Sequence, residues 1–244
     1  TIAASGVNAF AGLNAGTPEA IGLELSGVEF ALVVLSEVSG DRAWTSVTAG
    51  AASVGFAGLP DDVTVSGTDL GVSVNIAAGD GSIVDYATTP ISVQTGIQST
   101  IELEMDGSRG ELVEAVGSLE LSLFGYFSVA GRFAFEKSQT EVLLVDAEEN
   151  TAVDVLTLGG SDLSLFAGKD GGTEDAIGLE LTGAAFGLAI ITDQENPDVS
   201  WTALSGTAES FALVGVDGLT MASSAVELSA NLASEDGSLI DFGG

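Results

Sequence analysis

Acidic side chains in two matching glycine-rich segments are the residues of this chain best suited to chemistry. Asp80 and Asp85 lie in the first segment, and Asp236 and Asp241 lie in the second. Carboxylate oxygens are ligands that Ca²⁺ prefers, and neighbouring glycines let backbone carbonyls approach the ion. An Asp-Gly pair is also a common turn signal, in which the carboxylate caps the backbone or faces water. The spacing therefore leaves a calcium site and a capped turn as alternatives.

A further acidic set could supply ligands of the same kind. Its members are Asp61, Asp62 and Asp217. Neither set has the spacing of an EF-hand loop, so the prediction depends on residue types and not on a known motif. Calcium is the candidate cofactor, with all the aspartates named so far as its candidate ligands.

The sequence lacks side chains on which several common catalytic mechanisms depend. The chain has no histidine and no cysteine, so nucleophile-and-base catalysis of the Ser-His-Asp or Cys-His type lacks a member. Zinc and transition-metal sites built on imidazole or thiolate are excluded for the same reason. A pair of carboxylates could in principle cleave a glycosidic bond, but a site drawn from a duplicated segment would itself be duplicated. We expect that the protein is not an enzyme.

The acidic segments match because a long repeat runs through the chain. Residues 1–88 return as residues 157–244 at an offset of 156, and residues 89–156 are present once. The hexapeptide Ala-Ile-Gly-Leu-Glu-Leu occurs unchanged in both copies. A first unit therefore spans residues 1–156 and a partial second unit spans residues 157–244, as in a longer array.

The alternation of apolar residues predicts the elements that position these segments. Leu23 and Leu25 precede Gly27, and Val28 and Phe30 follow it; similar runs recur along the chain. Alternation with a period of two predicts strands with one buried and one wet face. The glycine between two runs predicts a turn, a bulge or a corner. We expect each glycine-centred unit to form one rung of a stack.

A regular train of short strands joined by polar, glycine-rich loops predicts an all-β fold. We expect an elongated tandem-repeat, antiparallel β-solenoid-like stack, because the connections are too short for helical crossovers. The alternative is a pair of tandem β-sandwich domains, with the second incomplete.

The charge balance limits the partners of the chain. Five basic residues face 36 acidic ones, for a net charge of -31. Nucleic acid is excluded as a partner because no basic footprint is present. Membrane insertion is not expected, since no apolar run approaches the roughly 20 residues of a spanning helix. Self-repulsion of this size indicates a salty medium, bound cations or both.

Trp44 and Trp201 occupy equivalent positions after loops, here at an offset of 157 because of one extra residue. In a carbohydrate-binding protein they would stack on sugar rings. The simpler interpretation is that both pack in the core or at a sheet edge.

One stretch, residues 125–137, reads Gly-Tyr-Phe-Ser-Val-Ala-Gly-Arg-Phe-Ala-Phe-Glu-Lys. It resembles a segment of the long repeats in very large secreted bacterial surface proteins of the adhesin type, which are often marine. Residues 177–188 and 211–220 are similar to other parts of those repeats. The resemblance implies an extracellular or cell-surface location and no catalytic residue, although this chain is poorer in basic residues.

These observations together predict an extracellular structural or adhesive repeat segment of a very large secreted bacterial protein. Such a segment would self-associate along the array, could form filaments, and would bind cations through its acidic loops. The alternative is a calcium-dependent carbohydrate-binding module with surface glycans as partners.

Overall fold

The computed structural model describes residues 1–60 and 62–243, and this part of the chain is built from β-strands. One 3₁₀ turn, Gly107–Arg109, is its helical element. The strands are β1 (Ile2–Leu13), β2 (Ile21–Ser36), β3 (Ala43–Ala57), β4 (Val63–Ile76), β5 (Ile91–Gln94), β6 (Thr100–Leu103), β7 (Leu112–Leu123), β8 (Phe127–Leu143), β9 (Asn150–Lys169), β10 (Ile177–Asp193), β11 (Ser200–Val214) and β12 (Met221–Leu232). The predicted all-β class is confirmed.

Ten long strands form one sheet in the order β1-β2-β3-β4-β7-β8-β9-β10-β11-β12, while β5 and β6 form a separate hairpin. Every neighbouring pair in the large sheet is antiparallel, as predicted. The boundary between the two sequence units falls inside β9, and β9 pairs with β8 of the first unit from Asn150 to Ala167. The two units therefore share one sheet, which favours a stack of strands over two separate sandwiches.

The glycine within β2 and its counterpart within β10 are bulges and not turns between rungs, and Asp69 and Asp162 have similar φ angles within β4 and β9. Gly27 in β2 and its counterpart Gly183 in β10 have φ angles of 59° and 57°, in the left-handed region that glycine adopts without strain. The pairing of β1 with β2 shifts by one residue next to Gly27. The original register returns beyond this point, and the pairing of β2 with β3 is not shifted at all. The irregularity reverses the alternation within the strand, so Leu25 and Val28 lie on the same face. The bulge thus keeps one face apolar along a 16-residue strand.

The sheet has two faces of different character. We call the face that carries the main buried clusters the front face. In the first unit it is covered by residues 77–111, the cover segment, which contains the β5–β6 hairpin and packs onto Ala31 and Val33. In the second unit a shorter segment, residues 233–243, places Ile240 against Ile191 and Trp201.

The opposite face, which we call the back face, carries one small buried cluster, in which Leu163, Ala184 and Ala208 pack with Phe133 and Phe186. Many of its other apolar side chains are open to solvent. Val34 follows the buried Val33 in β2 and is exposed, as alternation requires. The exposed apolar side chains of the back face are Val34, Val72, Ile76, Phe135, Leu158, Ile190, Leu228 and Leu232. Glu114 and Glu136 lie on the front face, where they pair with Arg109 of the cover segment. Asp154, between the buried Val153 and Val155, lies on the back face and accepts a hydrogen bond from Gln139.

The accessible surface of the chain reflects this single-layer arrangement. The chain exposes 14488 Å², whereas a compact monomer of the same mass is expected to expose about 10,000 Å². The excess follows from a wide sheet with one face covered only in part and the other largely open to solvent. The isolated chain is therefore an amphipathic sheet that is incomplete as a globular core.

Candidate functional site

Asp80, a candidate calcium ligand, caps a tight turn. The turn closes with a bond from the Ala78 N–H to the Ser82 carbonyl at 2.8 Å. Asp80 Oδ1 accepts hydrogen bonds from the Ser82 hydroxyl at 2.6 Å and from the Ser82 N–H at 3.0 Å. These two bonds, with the hydroxyl first, hold the pKa of Asp80 below its usual range. They also occupy one of its two oxygens.

Asp236 repeats this geometry in the second unit. Its Oδ1 accepts from the Ser238 hydroxyl at 2.6 Å and from the Ser238 N–H at 2.9 Å. The pKa of Asp236 is lowered by the same bonds in the same order. The duplicated Asp-Gly-Ser segment is therefore a duplicated capped turn.

Asp85 and Asp241 cap the chain a few residues further on. Asp85 Oδ1 accepts from the Gly107 N–H at 3.1 Å, which ties two distant parts of the cover segment together. The pKa of Asp85 is lowered, first by the Thr88 hydroxyl and then by the Gly107 N–H. Asp241 Oδ1 accepts from the Gly243 N–H at 2.8 Å.

The second acidic set is not brought together. Asp61 lies outside the described residues. Asp62 lies in the connection before β4 and Asp217 in the one before β12. Six strands of the sheet, β4 and the five from β7 to β11, separate these two connections. Among residues 1–60 and 62–243, no three acidic side chains gather into a group that could hold a metal ion. The described aspartates fit turn capping better than a calcium cage, and calcium binding stays a prediction.

Removing the two turn caps should lower thermal stability at neutral pH. We expect the double change Asp80→Ala and Asp236→Ala to reduce Tm by several degrees at pH 7. Because the folded pKa values are depressed, this contribution is present above the unfolded value of about 3.9 and is lost as pH falls below it. Thermal melts by circular dichroism between pH 7 and pH 2 should therefore converge for wild type and variant in acid. Asp41→Ala, which removes one charge from an exposed loop, is the control, and an equal loss there would contradict the capping role.

A buried polar network fastens the cover segment to the sheet in the first unit. The Asn75 side chain donates from Nδ2 to the Val84 carbonyl at 2.9 Å. Its Oδ1 accepts from the Ser46 hydroxyl at 3.0 Å, and Ser46 Oγ accepts from the Tyr86 hydroxyl at 2.8 Å. Asn75, Ser46 and Tyr86 are fully buried. Both ends of Asn75 are thus occupied within the protein.

The second unit carries a reduced form of this network. Asn231 donates to the Ile240 carbonyl at 2.9 Å, as Asn75 does to Val84. Ala203 and Phe242 stand where Ser46 and Tyr86 stand in the first unit, so both hydroxyls are missing together. This network was not predicted from the sequence. The two copies of the repeat do differ by a loss of two hydroxyls, Ser to Ala and Tyr to Phe, and that joint loss could have indicated a contact between the two side chains.

Asn75→Ala should destabilise the protein much more than Asn231→Ala. The first change leaves the buried Val84 carbonyl without a donor and removes the acceptor of the Ser46 hydroxyl, at a cost of about 2–4 kcal/mol. The second change affects an exposed side chain, where water replaces the lost bond. Urea unfolding of the two variants measures the difference, and equal losses would show that the network does not fasten the cover segment.

The two tryptophans also hold the covering segments. The Trp201 indole N–H donates to the Ser238 carbonyl at 3.1 Å, and the ring is 1% exposed. The Trp44 indole N–H donates to the Ser82 carbonyl at 3.0 Å, and the Arg42 guanidinium lies over the ring. Trp201 is buried too deeply to stack on a sugar.

Comparison with known proteins adds no family to these observations. The chain matches no family model, no curated protein and no solved structure. In the described part of the chain, no helix has the length and apolar character needed to cross a membrane. The resemblance to giant surface proteins stays a prediction.

Proposed function

We propose that this chain is a structural and adhesive repeat segment of a very large secreted bacterial surface protein, and that it works by self-association outside the cell. The observation that carries the proposal is the single amphipathic sheet, which runs through the unit boundary without interruption. A sheet of this kind adds length and stiffness with every repeat, since each unit contributes further strands to the same layer. It offers two places for association, its edges and its back face.

The edges of the sheet can accept further strands. β12 lies at one edge, and nearly all of its side chains are exposed. Its counterpart in the first unit, β4, pairs with β7 along the same side. The free N–H and carbonyl groups of β12 are therefore a template for a strand like β7.

The back face is suited to a second copy of the same chain. Two such faces packed about 10 Å apart form a two-layered sandwich and bury their apolar side chains. With ten strands about 4.8 Å apart, the contact would exceed the roughly 2,000 Å² at which obligate dimers begin. Glu114, Glu136 and the acidic loops stay in water in this arrangement, so their negative charge lies away from the contact.

The acidic loops would act by attracting cations that screen the self-repulsion of the chain. Such screening depends on ionic strength more than on the identity of the ion. We expect millimolar calcium to raise Tm no more than magnesium at equal ionic strength, measured against a chelator control. A selective rise with calcium would instead support specific sites at the predicted aspartates.

Electron microscopy of the purified chain in calcium, in magnesium and in chelator tests the proposal. Filaments, ribbons or end-to-end particles are expected when the salt concentration is high enough to screen the charge. Isolated compact particles under all conditions would contradict self-association as the function.

A further inference from the structure

The front face of the second unit has an open groove where the first unit carries a packed hairpin. The groove has a volume of about 710 Å³, and Gly187, Ala189 and Ala203 form its floor. Asn231 and Phe242 line one side. Glu114 and Glu136 line the far end of the groove, where they pair with Arg109. The five residues of the second unit are uncharged, so the groove offers a mostly apolar surface there.

The internal repeat shows what fills such a groove. In the first unit the residues equivalent to Gly187, Ala189 and Phe242 are Ala31, Val33 and Tyr86. They are buried under Val93, Leu103 and Met105, which belong to the β5–β6 hairpin and the chain that follows it. The contrast in exposure is large: Tyr86 is 0% exposed and Phe242 is 62% exposed.

We infer that the groove of the second unit is a binding site for a β-hairpin that turns an apolar side towards it, of the kind formed by residues 87–111. The same chain already shows this contact between equivalent surfaces, so the occupant follows from the repeat and not from the apolar character alone. The inference concerns one face of one unit and does not rest on the proposed extracellular role.

The floor of the groove also indicates how its hairpin differs from residues 87–111. Gly187 replaces Ala31 and Ala189 replaces Val33, so the floor is lower by several carbon atoms. A close-packed contact then requires larger apolar side chains on the hairpin at the positions of Val93 and Leu103.

The polar contacts of the hairpin change in parallel. In the first unit the Thr95 hydroxyl donates to Glu29 at 2.7 Å. Ala185 stands at the position of Glu29 in the second unit, so that acceptor is missing. The hydroxyl of Thr95 is therefore not required in a hairpin that binds the second unit.

Fluorescence anisotropy with a labelled synthetic peptide tests the inference on the full chain. The probes are a peptide of residues 87–111 and the same peptide with Leu103→Phe. We expect saturable binding of one peptide per chain, because the first-unit face is already occupied, and tighter binding of the Leu103→Phe peptide. Gly187→Leu should weaken binding by about tenfold or more, since the new side chain fills the groove.

The intact fold of this variant and a control on the other face of the sheet make the test decisive. A Cβ at Gly187 would meet no atom within 4 Å, so Gly187→Leu should leave the fold intact. Ile190→Ser, on the back face and outside the groove, is the control and should bind the peptide as wild type does. Absence of binding by either peptide, or equal binding by Gly187→Leu, would overturn the inference. Loss of self-association in Ile190→Ser with peptide binding retained would separate it from the proposed function.

Discussion

Ile190→Asp is expected to turn an associated chain into a monomer. Ile190 lies on the back face of β10 and is exposed in the single chain, so the substitution should not disturb the fold. In a back-to-back pair each copy would bury an unpaired carboxylate among apolar side chains, at a cost of several kcal/mol per charge. A weakening of association by 100-fold or more should follow, on the order of 3 kcal/mol. Sedimentation velocity over a range of concentrations measures it.

A charge on the other face provides the matched control. Ser164→Asp in β9 adds the same charge to an exposed position on the front face. We expect this variant to associate as wild type does, apart from the small effect of one more negative charge. Equal loss of association in both variants would mean that net charge, and not the back face, controls self-association.

Trp201→Ala should be the most destabilising single change within the chain. The ring is buried against Ile191 and Ile240, and its indole N–H holds the short covering segment through Ser238. Truncation of a buried tryptophan costs about 3–5 kcal/mol. Urea unfolding followed by circular dichroism measures the loss.

The first unit offers the comparison for Trp201. Trp44 makes the same hydrogen bond but is only half-buried, so Trp44→Ala should cost less than Trp201→Ala. Trp201→Phe should recover most of the packing while losing the hydrogen bond. If Trp201→Ala unfolded at the same urea concentration as wild type, the short covering segment would not depend on this side chain.

Much of the fold could be predicted because strand alternation is a local signal. The runs around Gly27 predicted strands, and the structure shows which of the possible roles the glycine has. In the sequence, one strand whose alternation of apolar residues reverses at a glycine looks the same as two short strands joined by a turn. The pairing of β2 with β1 shows a single strand with a bulge, since both halves pair with the same neighbour. That distinction depends on partners elsewhere in the chain.

The role of the candidate ligands could not be settled by residue type. Asp80 and Asp236 have the composition of both a calcium loop and a capped turn. The hydroxyls of Ser82 and Ser238 favour the capped turn, because they donate to the carboxylates in both units. The functions of Asn75 and Tyr86 were missed for a different reason: their contacts join residues that alternation places on separate elements.

The sequence pattern also could not predict which face of the sheet stays exposed. Alternation predicts that one face of β2 is buried, and in the structure it is the front side, with Ala31 and Val33, that the cover segment buries. The more apolar side, with Val34, remains exposed. This exposed side is the surface on which we propose that a second copy of the chain packs.

Small-angle X-ray scattering with an independent molar mass tests the self-association of this sheet most directly. We expect a mass of at least twice 24.3 kDa and a flat or elongated particle whose size grows with concentration and salt. A concentration-independent monomer with a radius of gyration of about 18 Å, the value for a compact domain of this length, would contradict it.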